Sequence, residues 1–183
     1  MKKRVVVTGL GIVSPLGIGL KENEAAIFEG RSGVDTIKTF TPDEDFPVKI
    51  AGEVKGFDPE KYIDHKDVKK MDRFIHYAVA CSQMALEDSG FEINEQNAER
   101  VGVIVGVGLG GLPAIEKYHD IFKARGVKKI TPFFYSHADC QPGIRSGFHH
   151  VWSQGAQLLC GHRLCYGNPF YWRSRKVYSV WRC

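Results

Sequence analysis

The sequence predicts an α/β fold, and three observations lead to that prediction. The stretch Lys3–Thr8 is β-branched and apolar on both faces, as in strands of a sheet covered on both sides. Apolar residues recur at the helical period through Lys70–Ser89. A second apolar strand, Val101–Val107, leads through a glycine-rich turn toward another helix. Alternation of this kind favours a mixed or parallel sheet packed against helices.

The region between the first strand and the long helix carries only short elements. Lys21–Glu29 has helical character, and Gly30 is placed to end that helix. Residues 31–48 contain a glycine and two prolines that break regular structure, so we expect a loop. A short strand is predicted at Val48–Val54.

Boundary signals also frame the later helices. Asp58-Pro59-Glu60 has the form of a helix start, with Asp at the N-cap and Pro just inside. The long helix ends at Gly90, and a further helix is predicted from about Leu112 to Lys123. The helical period of the long helix, Lys70–Ser89, places a set of apolar side chains largely on one face. They are Met71, Phe74, Ile75, Ala78, Val79, Met84 and Ala85.

Bulk composition limits the class of protein. A chain of 183 residues with 43% hydrophobic residues corresponds to about one domain with a real core. No apolar run is long enough to span a bilayer, and the short apolar run after the N-terminal lysines does not fit a secretory signal. We therefore expect a soluble, cytoplasmic protein. The net charge of +4 is too small to indicate nucleic-acid binding by itself.

Composition changes abruptly near position 135. Residues 135–183 hold six basic residues against the single acid Asp139, for a net charge of +5, whereas residues 1–134 carry −1. All three tryptophans, four of the five cysteines and four of the seven histidines lie in this tail. No helix or strand period continues there, so the prediction divides the chain into a regular part, 1–134, and an irregular tail, 135–183.

Two glycine clusters leave a nucleotide site open as an alternative. Gly9-Leu10-Gly11 follows the first strand as in a dinucleotide-binding loop, but the third glycine position is Ser14 and Pro15 follows it. The second cluster, residues 106–111, is equally compatible with close packing or with a ligand near the backbone. An NAD(P)-dependent oxidoreductase is therefore one alternative function.

The tail suggests a second alternative, a metal-binding or interaction module. Its possible zinc ligands follow no closed pattern: no C-x2-C occurs, and two of the histidines are adjacent. Aromatic and basic residues there could also stack on RNA, but no module of the usual RNA-binding kinds accompanies them. The possible ligands are His137, Cys140, Cys160, His162 and Cys165.

Four blocks of the first part resemble the β-ketoacyl-acyl-carrier-protein synthase II family, the condensing enzymes of bacterial fatty-acid elongation. They are MKKRVVVTGLGIVSPLG, KKMDRFIHYAVACSQMALEDSGF, VGVIVGVGLGGL and KKITPFF. The resemblance runs through about residues 1–134. It implies the N-terminal fragment of a thiolase-like fold, a layered α/β/α arrangement, in which the opening turn is the first strand and loop rather than a nucleotide site.

The resemblance also implies a reaction. In this family a cysteine at a helix N-terminus accepts an acyl chain from acyl-carrier protein, and two histidines from the C-terminal half assist decarboxylation of malonyl-carrier protein. A Claisen condensation follows. The family works as a homodimer without metal or organic cofactor. Leu109 and Phe134 match positions that line the family's acyl pocket, although ordinary core packing explains them equally well.

The chain departs from the family pattern before the nucleophile. Cys165 lies near the expected position, but the residues around it do not match, and the C-terminal half with both histidines is missing. Read one base later, each Trp codon and its successor encode glycine, and permitted codons for residues 161–170 can give VTACATGTH. We therefore expect the tail to be a frameshifted translation and the chain as written to be an inactive condensing enzyme.

Overall fold

The computed structural model describes residues 4–94, 96–107 and 110–130, and the backbone of 157–162 and 179–182. Its helices and strands, with three 3₁₀ turns, confirm the predicted α/β class. In chain order they are β1 Val13–Ser14, β2 Gly17–Ile18, α1 Leu20–Phe28, β3 Asp35–Thr36, β4 Ile50–Ala51, α2 His65–Val68, α3 Arg73–Ser89, β5 Gly102–Val107, α4 Leu112–Arg125, β6 Gln157–His162 and β7 Ser179–Arg182. The 3₁₀ turns are Pro59–Lys61, Ala98–Arg100 and Val127–Lys129.

Helix α3 contributes much of the buried core of the described structure, and its apolar period predicts a helix with one buried face. Asp72 is the N-cap, and its side chain accepts a hydrogen bond from the Arg73 N–H at 2.7 Å. Gly90 ends the helix in the left-handed region, with φ of 61°. The predicted end at Ser89 is confirmed, whereas the helix begins three residues after the predicted start at Lys70.

The core lies between α3 and β5. Ile75 is completely buried, Val79 is 2% exposed and Val105 is 2% exposed. Ile63, Met71, Ala78 and Val103 complete the same cluster. Helix and strand thus cover each other's apolar faces, which is the packing that an α/β layer requires.

Strand β5 is the middle of a three-stranded parallel sheet in the order β6-β5-β7. Val105 pairs with Cys160 on one side and with Trp181 on the other. The sequence pattern of residues 135–183 predicts neither neighbour, because those residues show no period of two. The irregular tail therefore contributes two strands, since pairing with a buried central strand depends on backbone hydrogen bonds more than on side-chain pattern.

The predicted strand Lys3–Thr8 is wrong for the residues that the structure describes. Residues 4–12 form no strand, and Val5 and Val7 are 80% and 79% exposed. A strand needs a neighbour to satisfy its backbone, and none of the described strands lies beside this segment. Within the described part of the chain, the high β-propensity of this segment is therefore not matched by a pairing strand.

The glycines that follow this segment pack against α3. A Cβ added at Gly9 would lie 2.7 Å from Ser89 N and closer still to Ala85 O. At Gly11 it would lie 2.9 Å from the Cys81 carbonyl carbon and closer still to its oxygen. These glycines are thus needed for close backbone approach to a helix, which explains the opening motif without a bound phosphate.

Asn23 ties the β1–β2 hairpin to α1. It is 2% exposed, and its Nδ2 donates to the carbonyls of Gly17 and Gly19 at 2.9 and 2.8 Å. Its Oδ1 accepts a hydrogen bond from the Ser14 hydroxyl. After α1, Gly30 has φ of 66° and lies one residue beyond the C-cap Glu29, so the predicted helix end is displaced by one residue.

The loop between α1 and α3 is held by short pairings. Strand β4 pairs antiparallel with β3 and is shorter than the predicted strand Val48–Val54. Glu53 accepts the N–H groups of Lys38 and Thr39, each at 3.0 Å. Asp58 caps the Pro59–Lys61 turn by accepting the Glu60 N–H at 3.0 Å, as predicted, although the turn is a single 3₁₀ turn.

Candidate functional site

The glycine-rich turn between β5 and α4 is the first part of the candidate site. A Cβ at Gly110 would lie 2.8 Å from Cζ of Phe74 and 2.9 Å from Cγ1 of Val107. Gly111 is the N-cap of α4 in the left-handed conformation, with φ of 71°. Close packing and a positive φ therefore account for these two glycines, in agreement with the packing interpretation of the cluster.

The parallel sheet brings two chain segments to one edge. Val107 at the carboxyl end of β5 pairs with His162 at the carboxyl end of β6. Leu109 follows β5 by two residues, and Cys165 follows β6 by three. Ligands of parallel α/β sheets bind at this kind of edge, outside the carboxyl ends of the strands. Leu109, Phe134 and Cys165 themselves lie outside the described residues, so their roles stay predictions.

Two cavities flank the N-terminus of α3. The smaller has a volume of about 190 Å³ and the larger about 480 Å³. Asp72 and Pro113 line both, so the cavities meet where α3 and α4 begin. The smaller is also lined by Lys69, Met71, Ala114, Lys117 and Tyr118, and the larger by Thr39, Phe57, Pro59, Arg73 and His76.

Asp72 presents an unsatisfied acceptor between these cavities. Its Oδ1 caps α3, whereas its buried Oδ2 has no hydrogen-bond partner among the described residues. A buried carboxylate oxygen without a partner is costly. Lys69 and Lys117 line the same cavity and supply positive charge near it.

His76 is the buried histidine of this region. It is 9% exposed, and its Nε2 donates to the Val68 carbonyl at 3.0 Å. Burial lowers the pKa of His76 below its ordinary value, because charging the ring would cost solvation energy. The sequence predicts that His65, His76 and His119 are helix or surface residues, and all three lie on helices. His65 and His119 are exposed, and His65 pairs with Glu60 at 2.6 Å, whereas His76 is buried.

The alternative prediction of a metal site concerns residues that lie mostly outside the described structure. No group of three or more potential metal ligands occurs within residues 4–130 as far as they are described. Of the proposed zinc ligands, the backbones of Cys160 and His162 lie on β6, and the others fall outside the described residues. The metal hypothesis stays a prediction. No helix in the described part of the chain is long and apolar enough to cross a membrane.

The cavities at α3 were not anticipated from the sequence. Asp72 precedes the long helix in a position where an acidic residue can cap it, but the cavities beside it are also lined by Pro113 of α4, which is distant in sequence. The burial of His76 follows from its position on α3, because Val79 and Ala80, three and four residues later on the same side of the helix, are also buried. The helical period of α3 therefore indicates that His76 is buried, whereas no local sequence feature indicates the cavities.

Comparison with known proteins decides the family. The sequence model described as "Beta-ketoacyl synthase, N-terminal domain" matches residues 2–146. The chain belongs to the beta-ketoacyl synthase family. Two beta-ketoacyl synthases, each named 3-oxoacyl-[acyl-carrier-protein] synthase 2, are similar over 133 residues: one from Coxiella burnetii at 49% identity and one from Vibrio cholerae at 47%. Each alignment covers 73% of this chain and 32% of the relative.

A solved structure confirms the fold. The ishigamide ketosynthase/chain length factor superimposes with a TM-score of 0.70 and 26% identity, covering 88% of this chain and 40% of that chain. The predicted thiolase-like α/β architecture of a beta-ketoacyl synthase is therefore confirmed. The chain spans about a third of the length of the curated relatives it matches.

Proposed function

We propose that the chain is the amino-terminal part of a 3-oxoacyl-acyl-carrier-protein synthase of fatty-acid elongation. The observation that carries the proposal is identity of 47–49% over 133 residues to two relatives with that name. Acyl-carrier protein and malonyl-carrier protein are the proposed substrates. The products are the extended 3-oxoacyl-carrier protein, free carrier protein and carbon dioxide. No metal or organic cofactor takes part.

The proposed chemistry needs an activated thiol. A cysteine thiolate attacks the acyl thioester of the carrier protein, and the carrier thiol leaves. Malonyl-carrier protein then loses carbon dioxide, and its enolate carbon attacks the enzyme-bound thioester. A carbon–carbon bond forms and the cysteine thiolate is released. The helix N-terminus and nearby hydrogen-bond donors stabilise the charges that develop.

Basic side chains support a carrier protein as partner. Lys69 and Lys117 line the smaller cavity beside the start of α3 and α4. At the end of α4, Arg125, Lys128 and Lys129 are all exposed. These cations suit a partner with an acidic surface, since complementary charge accelerates encounter and orients docking. By family, the complete protein is a cytoplasmic homodimer.

The chain as written does not supply the nucleophile in its expected setting. Cys165 is preceded by His162-Arg163-Leu164 rather than by the family's Thr-Ala-Cys elbow. A reading-frame slip near residue 135 accounts for this and for the excess of Trp, Cys and His beyond it. Strand β6 supports the proposal indirectly, because its backbone runs beside β5 toward the site where the elbow would follow.

Two measurements test the proposal. Resequencing the locus should reveal a one-base difference that restores VTACATGTH in place of residues 161–170. The restored protein should then form an acyl-enzyme with radiolabelled acyl-carrier protein and elongate it with malonyl-carrier protein. The 183-residue chain should do neither, and a restored protein whose elbow cysteine is replaced by serine is the matched control. An unshifted gene, or elongation by the 183-residue chain, would contradict the frame-slip account.

A further inference from the structure

The connector between α2 and α3, residues 69–72, is a tight turn held by backbone hydrogen bonds. The Lys70 N–H donates to the Asp67 carbonyl at 2.9 Å, and the Met71 N–H donates to the Val68 carbonyl at 3.3 Å. Met71 then enters the core and is only 8% exposed. The connector therefore fixes how α2 meets the first turn of α3.

His76 on α3 holds this connector through the same acceptor. Its Nε2 donates to the Val68 carbonyl at 3.0 Å, so that carbonyl binds the connector and the helix together. The ring is 9% exposed and lines the larger cavity beside the start of α4. Any opening of the connector that breaks this contact would bring the ring into water.

The environment of His76 favours the neutral ring. Burial lowers the pKa of His76 below its ordinary value, because charging the ring inside the protein costs solvation energy. The charged neighbours that act on it belong to its own helix: Asp72 favours the protonated ring, and Arg73 disfavours it. Helix α2 contacts the ring through a backbone carbonyl. The other elements that border the cavity contribute side chains without a titratable group, namely Thr39, Phe57, Pro59 and Pro113.

We propose that His76 is a proton-sensitive latch, which keeps the α2–α3 connector closed when neutral and favours local opening of the connector when protonated. Protonation leaves the Nε2 donor in place, so the opening is driven by hydration of the charged ring rather than by loss of the hydrogen bond. The open form binds the proton more readily, so opening increases as the pH falls, by at most about tenfold per pH unit for one proton. The inference is independent of the proposed function, since it uses only contacts between α2 and α3.

Hydrogen exchange at single amides of the 183-residue chain measures the opening. The Met71 N–H is the reporter, because it shares the Val68 carbonyl with the latch. After correction for the intrinsic exchange rate, its opening constant should rise several-fold, and at most about tenfold, between about pH 7.5 and about pH 5.5. The Glu29 N–H, which donates to the Ala25 carbonyl at 3.0 Å at the end of α1, is the control amide and should show no such rise. The Met71 opening constant should exceed that of Ala80, which is completely buried on α3.

Two variants assign the pH dependence to one histidine. H76Q keeps an N–H donor for the Val68 carbonyl but does not titrate, so it should remove the pH dependence and retain protection at about pH 7.5. H65Q is the matched control, because His65 is exposed on α2 and pairs with Glu60 at 2.6 Å. It should leave the pH dependence unchanged. An NMR titration of the unsubstituted chain does not depend on the folding of either variant, and the midpoint of His76 should lie below that of the exposed His119.

Five outcomes overturn the proposal. They are an opening constant at Met71 that does not change with pH, the same pH dependence in H76Q as in the parent, its loss in H65Q, exchange of Met71 only together with Ala80, and a titration midpoint of His76 at or above that of His119.

Discussion

The packing of the opening glycines against α3 predicts a large effect from a single methyl group. Replacing Gly11 with Ala places a Cβ 2.9 Å from the Cys81 carbonyl carbon and 3.0 Å from Ala85 N, with the Cys81 oxygen closer still. All three neighbours are backbone atoms of a helix interior, so no side-chain rotation can relieve the overlap. Either α3 or residues 9–12 must move by roughly 1 Å for ordinary van der Waals contact to return.

The cost of this movement can be bounded. Overpacking a close-packed region costs about 1–3 kcal/mol, and a clash with rigid backbone belongs at the upper end. The reduced entropy of the unfolded chain in a Gly-to-Ala substitution returns about 0.4–1 kcal/mol. We therefore expect G11A to lower the free energy of unfolding by about 2 kcal/mol. For a domain of this size that corresponds to a Tm lower by about 4–8 °C.

Urea unfolding followed by circular dichroism at 222 nm measures the loss. G106A is the matched control, since a Cβ at Gly106 would meet nothing within 4 Å and the residue is exposed on β5. Its free energy of unfolding should stay within about 0.5 kcal/mol of the parent. If G11A unfolds at the same urea concentration as G106A, then the glycines are not required for helix packing, and the nucleotide interpretation of the opening turn regains support.

Three further predictions concern buried and charged groups. N23A removes the donor to two carbonyls and should cost about 2–3 kcal/mol by urea unfolding, whereas E24A on the exposed side of α1 should change stability by less than about 0.5 kcal/mol. Because burial lowers the pKa of His76 below 6.5, the folded state binds fewer protons than the unfolded state, so stability should fall as the pH drops through 6.5, and H76Q should flatten this slope. The hydrogen bond from Lys55 holds the pKa of Asp35 at about 2, so an NMR titration of its carboxyl carbon should show that midpoint in the parent and a higher one in K55A.

Local signals in the sequence locate most of the described elements. Gly90 ends α3 as predicted, because a left-handed glycine acts within a few residues of the helix end. The capping carboxylate of Asp72 is an equally local signal at the other end, although the predicted start, Lys70, precedes it. The capping role of Asp58 is equally local, although the helix it begins is only one turn. The apolar period of α3 also identifies the core against β5, since one face of a helix this long must be covered.

Long-range partners could not be predicted in the same way. The valine segment 5–7 has strand propensity, but propensity does not provide a neighbouring strand. Strands β6 and β7 show the converse, since they pair with β5 despite lacking a strand period. The cavities beside Asp72 likewise require α4 to lie next to the start of α3, since Pro113 lines both of them. Features of this kind arise from contacts between residues distant in sequence, which local sequence patterns do not predict.

The distribution of exposed apolar groups connects the proposed frame slip with the stability of the chain. The core between α3 and β5 is buried, whereas Val5 in the segment before β1, Phe28 at the end of α1 and Phe122 on α4 are 80%, 83% and 46% exposed. The chain itself spans only about a third of the length of its curated relatives. A smaller fold buries a smaller fraction of its surface, so a third of a domain leaves apolar faces that the remainder would cover. The family's condensation chemistry draws its histidines from that remainder. If the proposed frame slip is real, restoring the reading frame should increase solubility and create activity together. A restored protein that gained one without the other would show that the two are separable.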